Sequence, residues 1–272
     1  MKTYIQSRGY SPNHDYIWVV EQEPQQVEEV INTKLISHQD IPILNEAVKL
    51  INTKDFAVVL FREQGQLLLI VTGLRTRRKD SQNRYIYNSI AWTGTDKDEP
   101  ILRKITALTL ENKFQIPESA VFNLSDSSFG FEVNWDEIKA LMPKTGAENA
   151  PLYENQKSEK IAFFSEDRNK DLANELMTYS LPLRDGALVV VTEFEQSKQI
   201  FKEAKVWRGI SKDQNIIYRD AWEKLLSKPG KDIAAKKDEI KENINIIDEE
   251  VKLLTEDVQT MLSKLLLLLK IF

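Results

Sequence analysis

Apolar and polar positions change period several times along this chain, and each change predicts an element. Phe56 to Phe61 (FAVVLF) and Leu67 to Val71 (LLLIV) are short runs of β-branched, aliphatic and aromatic residues. Between them lies Arg62-Glu63-Gln64-Gly65-Gln66, a glycine-containing spacer of hairpin length. Arg84 to Trp92 (RYIYNSIAW) alternates imperfectly and predicts a third strand, and Tyr16 to Val20 (YIWVV) predicts one near the N-terminus. Two segments switch to helical spacing. Pro42 to Ile51 carries Ile43, Leu44, Ala47, Val48 and Ile51, and Pro100 to Leu110 carries Ile101, Leu102, Ile105 and Leu108. Both open on proline, which the first turn of a helix tolerates.

Further along, Lys160 to Ser165 (KIAFFS) reads as a strand and Asn169 to Tyr179 as a helix with Leu172, Leu176 and Tyr179 in register. Ala187 to Phe194 (ALVVVTEF) is nearly continuous in apolar residues, as a strand buried on both faces is. Ser197 is placed to cap a following helix through Ile200, Phe201 and Ala204. Alternation at this spacing predicts a small parallel βαβα unit.

The longest regular pattern is C-terminal. Ile240, Ile244, Ile247, Val251, Leu254, Val258, Met261, Leu265, Leu268 and Phe272 recur at alternating steps of four and three. That is the heptad seam of a coiled coil, with Ile240, Ile247, Leu254, Met261 and Leu268 at a and the others at d. Neither set follows the isoleucine-a, leucine-d pattern of parallel dimers, so the number of strands stays open. Ile246, Leu253, Leu262, Leu266, Leu267, Leu269 and Ile271 widen the apolar face towards the end. Such a surface calls for cover. The chain's own body, another chain or a membrane surface would each supply it.

Pro143 to Glu159 (PKTGAENAPLYENQKSE) has no sustained period and reads as a linker or long loop. Ser227-Lys228-Pro229-Gly230-Lys231 is a second break. The expected organisation is therefore an α+β region with an antiparallel hairpin over 1–142, a linker over 143–159, a small α/β unit over 160–228 and a long coiled-coil-like helix over 233–272.

Composition narrows the chemistry more than the architecture. The 272 residues include no cysteine, which removes disulfides, thiolate metal sites, cysteine nucleophiles and iron–sulfur clusters. The nine glycines are all isolated, and neither a Walker nor a dinucleotide glycine motif occurs, so no cofactor is expected. Net charge is -5, which argues against nucleic-acid binding through the bulk field but leaves a local basic patch open. No apolar segment of signal-peptide or membrane-spanning length is present, so a cytoplasmic location is expected.

One such patch exists. Arg75, Arg77, Arg78 and Lys79 follow a predicted strand and Gly73, with Arg84 shortly after. Arginine forks match phosphate oxygens, so this stretch is the candidate for nucleic acid, a nucleotide or an acidic partner; a solvated hairpin loop is its plain alternative. Glu166 and Asp167 follow one predicted parallel strand and Glu193 ends the next, where carboxylates could hold Mg²⁺ or merely cap strand ends. His14-Asp15 with Ser7 and Ser11 has the residue types of a catalytic triad but no nucleophile-elbow motif, and His38 sits in a polar stretch without metal-ligand spacing. Of the five tryptophans, Trp207 precedes Arg208 and Gly209 at the end of the α/β unit and suits either an interface or buried packing.

Two stretches, Thr72 to Arg84 (TGLRTRRKDSQNR) and Val206 to Ser211 (VWRGIS), resemble segments of uncharacterised bacterial, cyanobacterial-type accessory proteins of defence or conflict systems. The resemblance implies a non-enzymatic partner and carries no motif residue across. These observations together predict an interaction or adaptor protein that associates with itself or another protein through the heptad helix. Nucleic-acid or nucleotide binding by the 75–84 stretch is the first alternative, and a Mg²⁺-dependent carboxylate enzyme the second.

Overall fold

Ten strands hydrogen-bond into one mixed sheet in the order β12-β9-β11-β10-β4-β5-β6-β1-β2-β3. The structure, a computed structural model, describes residues 1–21, 33–37, 41–124, 129–153, 156–195, 197–216 and 221–225. The strands are β1 (Lys2–Ser7), β2 (Ile17–Glu21), β3 (Thr33–Ile36), β4 (Ala57–Glu63), β5 (Gln66–Lys79), β6 (Tyr85–Thr95), β9 (Lys160–Phe163), β10 (Gly186–Thr192), β11 (Arg208–Ser211) and β12 (Glu223–Lys224), while β7 (Val121–Asn123) and β8 (Phe131–Val133) form a separate pair. Five short helices accompany them: α1 (Pro42–Val48), α2 (Glu99–Leu110), α3 (Trp135–Ala140), α4 (Glu166–Thr178) and α5 (Ser197–Glu203).

This sheet overturns the expected fold class. The α+β region and the βαβα unit are not separate bodies, because β10 pairs antiparallel with β4 from Gly186↔Arg62 to Thr192↔Ala57. The physical reason lies in both sequences. Val189, Val190 and Val191 are fully buried, as are Val58, Val59 and Leu60, so each strand has apolar side chains on both faces and needs neighbours on both edges. Only β9, β11 and β10 run parallel; every other ladder is antiparallel.

The two faces carry distinct cores. Val58, Leu60, Leu67, Leu69, Ile90 and Trp92 meet Leu102 and Ile105 of α2, Ile138 of α3 and Leu172 and Leu176 of α4. Val59, Leu68, Ile70 and Ala91, one residue out of phase, meet Ile43, Leu44 and Ala47 of α1 and Phe201 of α5. The alternation is the strand period applied to strands covered on both sides. The β4–β5 turn sits at Gln64 and Gly65, with φ of 49° and 77°, the left-handed pair that a two-residue hairpin loop requires.

The stretch expected as a linker or long loop, Pro143 to Glu159, is hydrogen-bonded to the helices beside it. The Ala147 N–H donates to the Pro100 carbonyl at 2.9 Å, and Arg103, fully buried, donates to the carbonyls of Glu148, Leu176 and Tyr179 while its Nε sits 2.9 Å from Glu99. Arg208 is buried likewise, bidentate to Glu175 at 2.6 and 2.7 Å. The Ser197 hydroxyl donates to the Phe194 carbonyl at 2.7 Å. All described residues fall in the unit Met1–Leu225. The heptad positions from Ile240 to Phe272, and with them the expected long helix, lie outside the described residues.

Candidate functional site

Strand β5 outruns its neighbour. Its last partner on β4 is Ala57, opposite Thr72, and from Gly73 to Lys79 it is paired with β6 alone. Gly73 makes the departure possible. Its φ is +68°, and a Cβ there would lie 2.4 Å from the Phe56 nitrogen and 2.5 Å from the Asp55 carbonyl, so both the conformation and the space demand glycine. The Thr72 hydroxyl fastens the junction by donating to the Asp55 carbonyl at 2.8 Å.

The basic stretch is therefore strand, not loop, and only Asp80 to Arg84 turns. Within β5 the register shifts twice, between Val71 and Leu74 and between Arg75 and Lys79. Thr76 pins the second bulge: its hydroxyl donates to the Ile86 carbonyl at 2.8 Å and accepts the Arg78 N–H at 3.1 Å. The turn closes on Asp80, whose carboxylate accepts from the Gln82 and Arg84 N–H groups at 2.9 and 3.0 Å and from Arg84 Nε at 2.8 Å. Burial opposes the charged carboxylate of Asp80, but Arg84 and these N–H donors outweigh it and hold the carboxyl below its ordinary range.

The five predicted cations divide. Arg84 is spent on Asp80, 2.7 Å away. Arg75 and Lys79 stand over the Tyr85 ring, 3.8 and 4.8 Å from its centroid. Arg77 is exposed, its N–H donating to Glu118 Oε1 at 2.9 Å. Arg78 turns to the other face and donates to Asn88 Oδ1 at 3.1 Å, to Asn123 Oδ1 at 3.0 Å and to the Ser7 hydroxyl. Burial lowers its guanidinium to about 10, with Glu118 and Tyr16 opposing.

Set against the other described arginines, these stand apart. Arg8, Arg62, Arg84, Arg103, Arg168, Arg184 and Arg208 each have a carboxylate within ion-pair distance. Among the described residues no carboxylate lies so close to the side chains of Arg75, Arg77 or Arg78. Glu118 still acts on Arg78 from further off, whereas Arg75 and Arg77 are exposed.

Along the open edge of β5 runs a groove of about 880 Å³. Its lining includes Arg75, Arg77, Lys79 and Tyr85 of the hairpin and Asn112, Phe114, Gln115, Ile116 and Pro117 of the segment after α2. Exposed aromatic rings gather around the same hairpin: Tyr85 and Tyr87 on β6, and Tyr16, whose hydroxyl accepts the Tyr87 N–H at 3.1 Å. Sequence reasoning missed Tyr85, Tyr87, Asn88 and the 112–118 wall. The imperfect alternation of RYIYNSIAW held the signal, because Arg84, Tyr85 and Tyr87 fall on exposed places while Asn88, Ser89 and Trp92 are buried.

The remaining candidates do not converge. Glu166 pairs with Lys170 at 2.8 Å and Glu193 with Lys212 at 2.9 Å; Glu166 stands below its ordinary range through the hydrogen bond from Lys170. Asp167 is exposed in the first turn of α4, and among the described residues no three His, Asp or Glu side chains are placed to share a metal. His14 packs over the backbones of Gly9 and Gly130. Trp207 is buried, its Nε1 donating to the Gln156 carbonyl at 2.8 Å. His38 lies outside the described residues. No described helix is long and apolar enough to cross a membrane.

Comparison of the chain with protein-family models, with curated proteins and with solved structures finds no match in any of the three.

Proposed function

We propose that the protruding β5–β6 hairpin and its groove form an anion-binding site, and that the chain is a binding protein for a phosphate-bearing ligand. The observation that carries this reading is the pair Arg75 and Arg77, exposed arginines on the groove with no described carboxylate within ion-pair distance of their side chains. Two exposed guanidinium groups without a nearby carboxylate leave their charge open to an anionic ligand. Arginine also matches phosphate oxygens with its planar fork. The test is fluorescence anisotropy of a labelled polyanion such as heparin at about 50 mM salt. The full chain is expected to bind, and a triple variant with alanine at positions 75, 77 and 79 to lose most of that affinity. No binding, or equal binding by the variant, would reject the site.

The heptad spacing of Ile240 to Phe272 supports a second reading, association of the chain with itself or a protein partner. Association would place several anion sites on one ligand and raise avidity. Light scattering on the full chain and on a form lacking 233–272 tests self-association. A fall to the monomer mass supports it, and an unchanged mass refutes it. An accessory role in a bacterial defence system, as the resemblance implies, would be compatible with either reading.

A further inference from the structure

The cations and the exposed rings share one surface, and that pairing narrows the ligand class. Residues 75 to 79 of β5 stand opposite only 85 to 87 of β6, since Arg75 faces Tyr87 and Lys79 faces Tyr85. Regular strands advance in step, about 3.3 Å per residue. Here the surplus chain bulges out, and Arg75 and Lys79 both reach one ring instead of spreading along the strand. The result is a dense knot of positive charge around an aromatic ring. A guanidinium plane and a tyrosine face are each surfaces on which a nucleobase stacks.

Tyr85 and Tyr87 are 41% and 37% exposed, which leaves ring surface free for such stacking. In the lining of the groove, Asn112 and Gln115 offer amide donors and acceptors of the kind that pair with base edges. An inorganic anion would use the cations and leave rings and amides idle. A duplex stacks its bases on one another and offers a protein no ring faces. A single strand presents phosphates and unstacked bases together.

We propose that the ligand of the anion site is a single-stranded nucleic acid, its phosphates at Arg75, Arg77 and Lys79 and its bases in the groove and on the rings of Tyr85 and Tyr87. This rests on the anion-site reading above. The test is anisotropy of labelled oligomers of about twelve nucleotides, within the range of single-strand sites. The oligomers are RNA and DNA single strands, their duplexes, and an abasic strand with the same number of phosphates. Either base-bearing single strand is expected to bind at least about tenfold more tightly than duplex or abasic strand. Tyr87→Leu, checked as folded by its thermal melt, is expected to weaken the base-bearing strand at least about fivefold and leave the abasic strand unchanged. Equal affinity for base-bearing and abasic strands would overturn the single-strand proposal and leave the anion site standing. Failure of every oligomer, together with failure of heparin, would overturn both.

Discussion

Arg78→Met separates the two roles that a desolvated arginine can have in this chain. Arg208 answers Glu175 with two bonds, so its removal would strand a carboxylate. Arg78 meets neutral oxygens, and burial lowers its guanidinium to about 10. A depression of that size corresponds to roughly 3 kcal/mol against the charged form in the folded chain. The sign follows: a base held below its ordinary value penalises the fold fully at neutral pH, and the penalty lifts only as pH rises through about 10. Its bonds to Asn88 and Asn123 return roughly 1.5–3 kcal/mol each, and methionine retains the apolar burial of the stem. Ser7 and Asn88 keep each other at 2.7 Å. The two bonds return about 3–6 kcal/mol against a cost of about 3, so Arg78→Met is expected to lose no more than about 3 kcal/mol. Arg208→Met is expected to lose about 3–5 kcal/mol. Urea unfolding followed by tryptophan fluorescence at pH 7 measures both. Arg78→Met as destabilised as Arg208→Met would refute the reasoning, because Arg78 would then be a structural pin.

Two further outcomes follow from the hairpin. Gly73→Ala is expected to cost roughly 1–3 kcal/mol, since alanine must hold φ near +68° with its Cβ against the Asp55 and Phe56 backbone; a denaturation midpoint equal to the parent's would contradict that geometry. Asp80, held below its ordinary range, contributes stability that is present above about pH 4 and lost as pH falls through its folded value. Asp80→Asn should therefore flatten the acid limb of the stability profile, and an unchanged acid limb would count against the turn's carboxylate.

Much of this architecture was legible one strand at a time. FAVVLF, LLLIV and ALVVVTEF announced themselves because burial on both faces leaves no polar alternation to confuse. Their partnership was not legible. Nothing local says that β10 lies against β4, since that ladder joins residues more than a hundred positions apart, and the separate-unit reading failed there. Lys2–Ser7 escaped notice because Lys2, Thr3 and Gln6 dilute its period, although Ile5 is fully buried. The basic cluster was found by charge, but TGLRTRRK looked like a loop, because glycine and arginines mask a strand whose two bulges break alternation. What marks the cluster as a candidate site, the carboxylates its arginines lack, exists only once the chain is folded.

Phosphate binding by Arg75, Arg77 and Lys79 is the centre of the proposed site. Its most direct test is the salt dependence of single-strand affinity between about 50 and 200 mM. Three phosphate contacts at about 0.7 each predict a log–log slope near −2 and a roughly twentyfold loss of affinity over that range. The double variant Arg75→Ala/Arg77→Ala should fall to a slope near −0.7, about a threefold loss. A parent slope near zero, or the same slope in the variant, would contradict it.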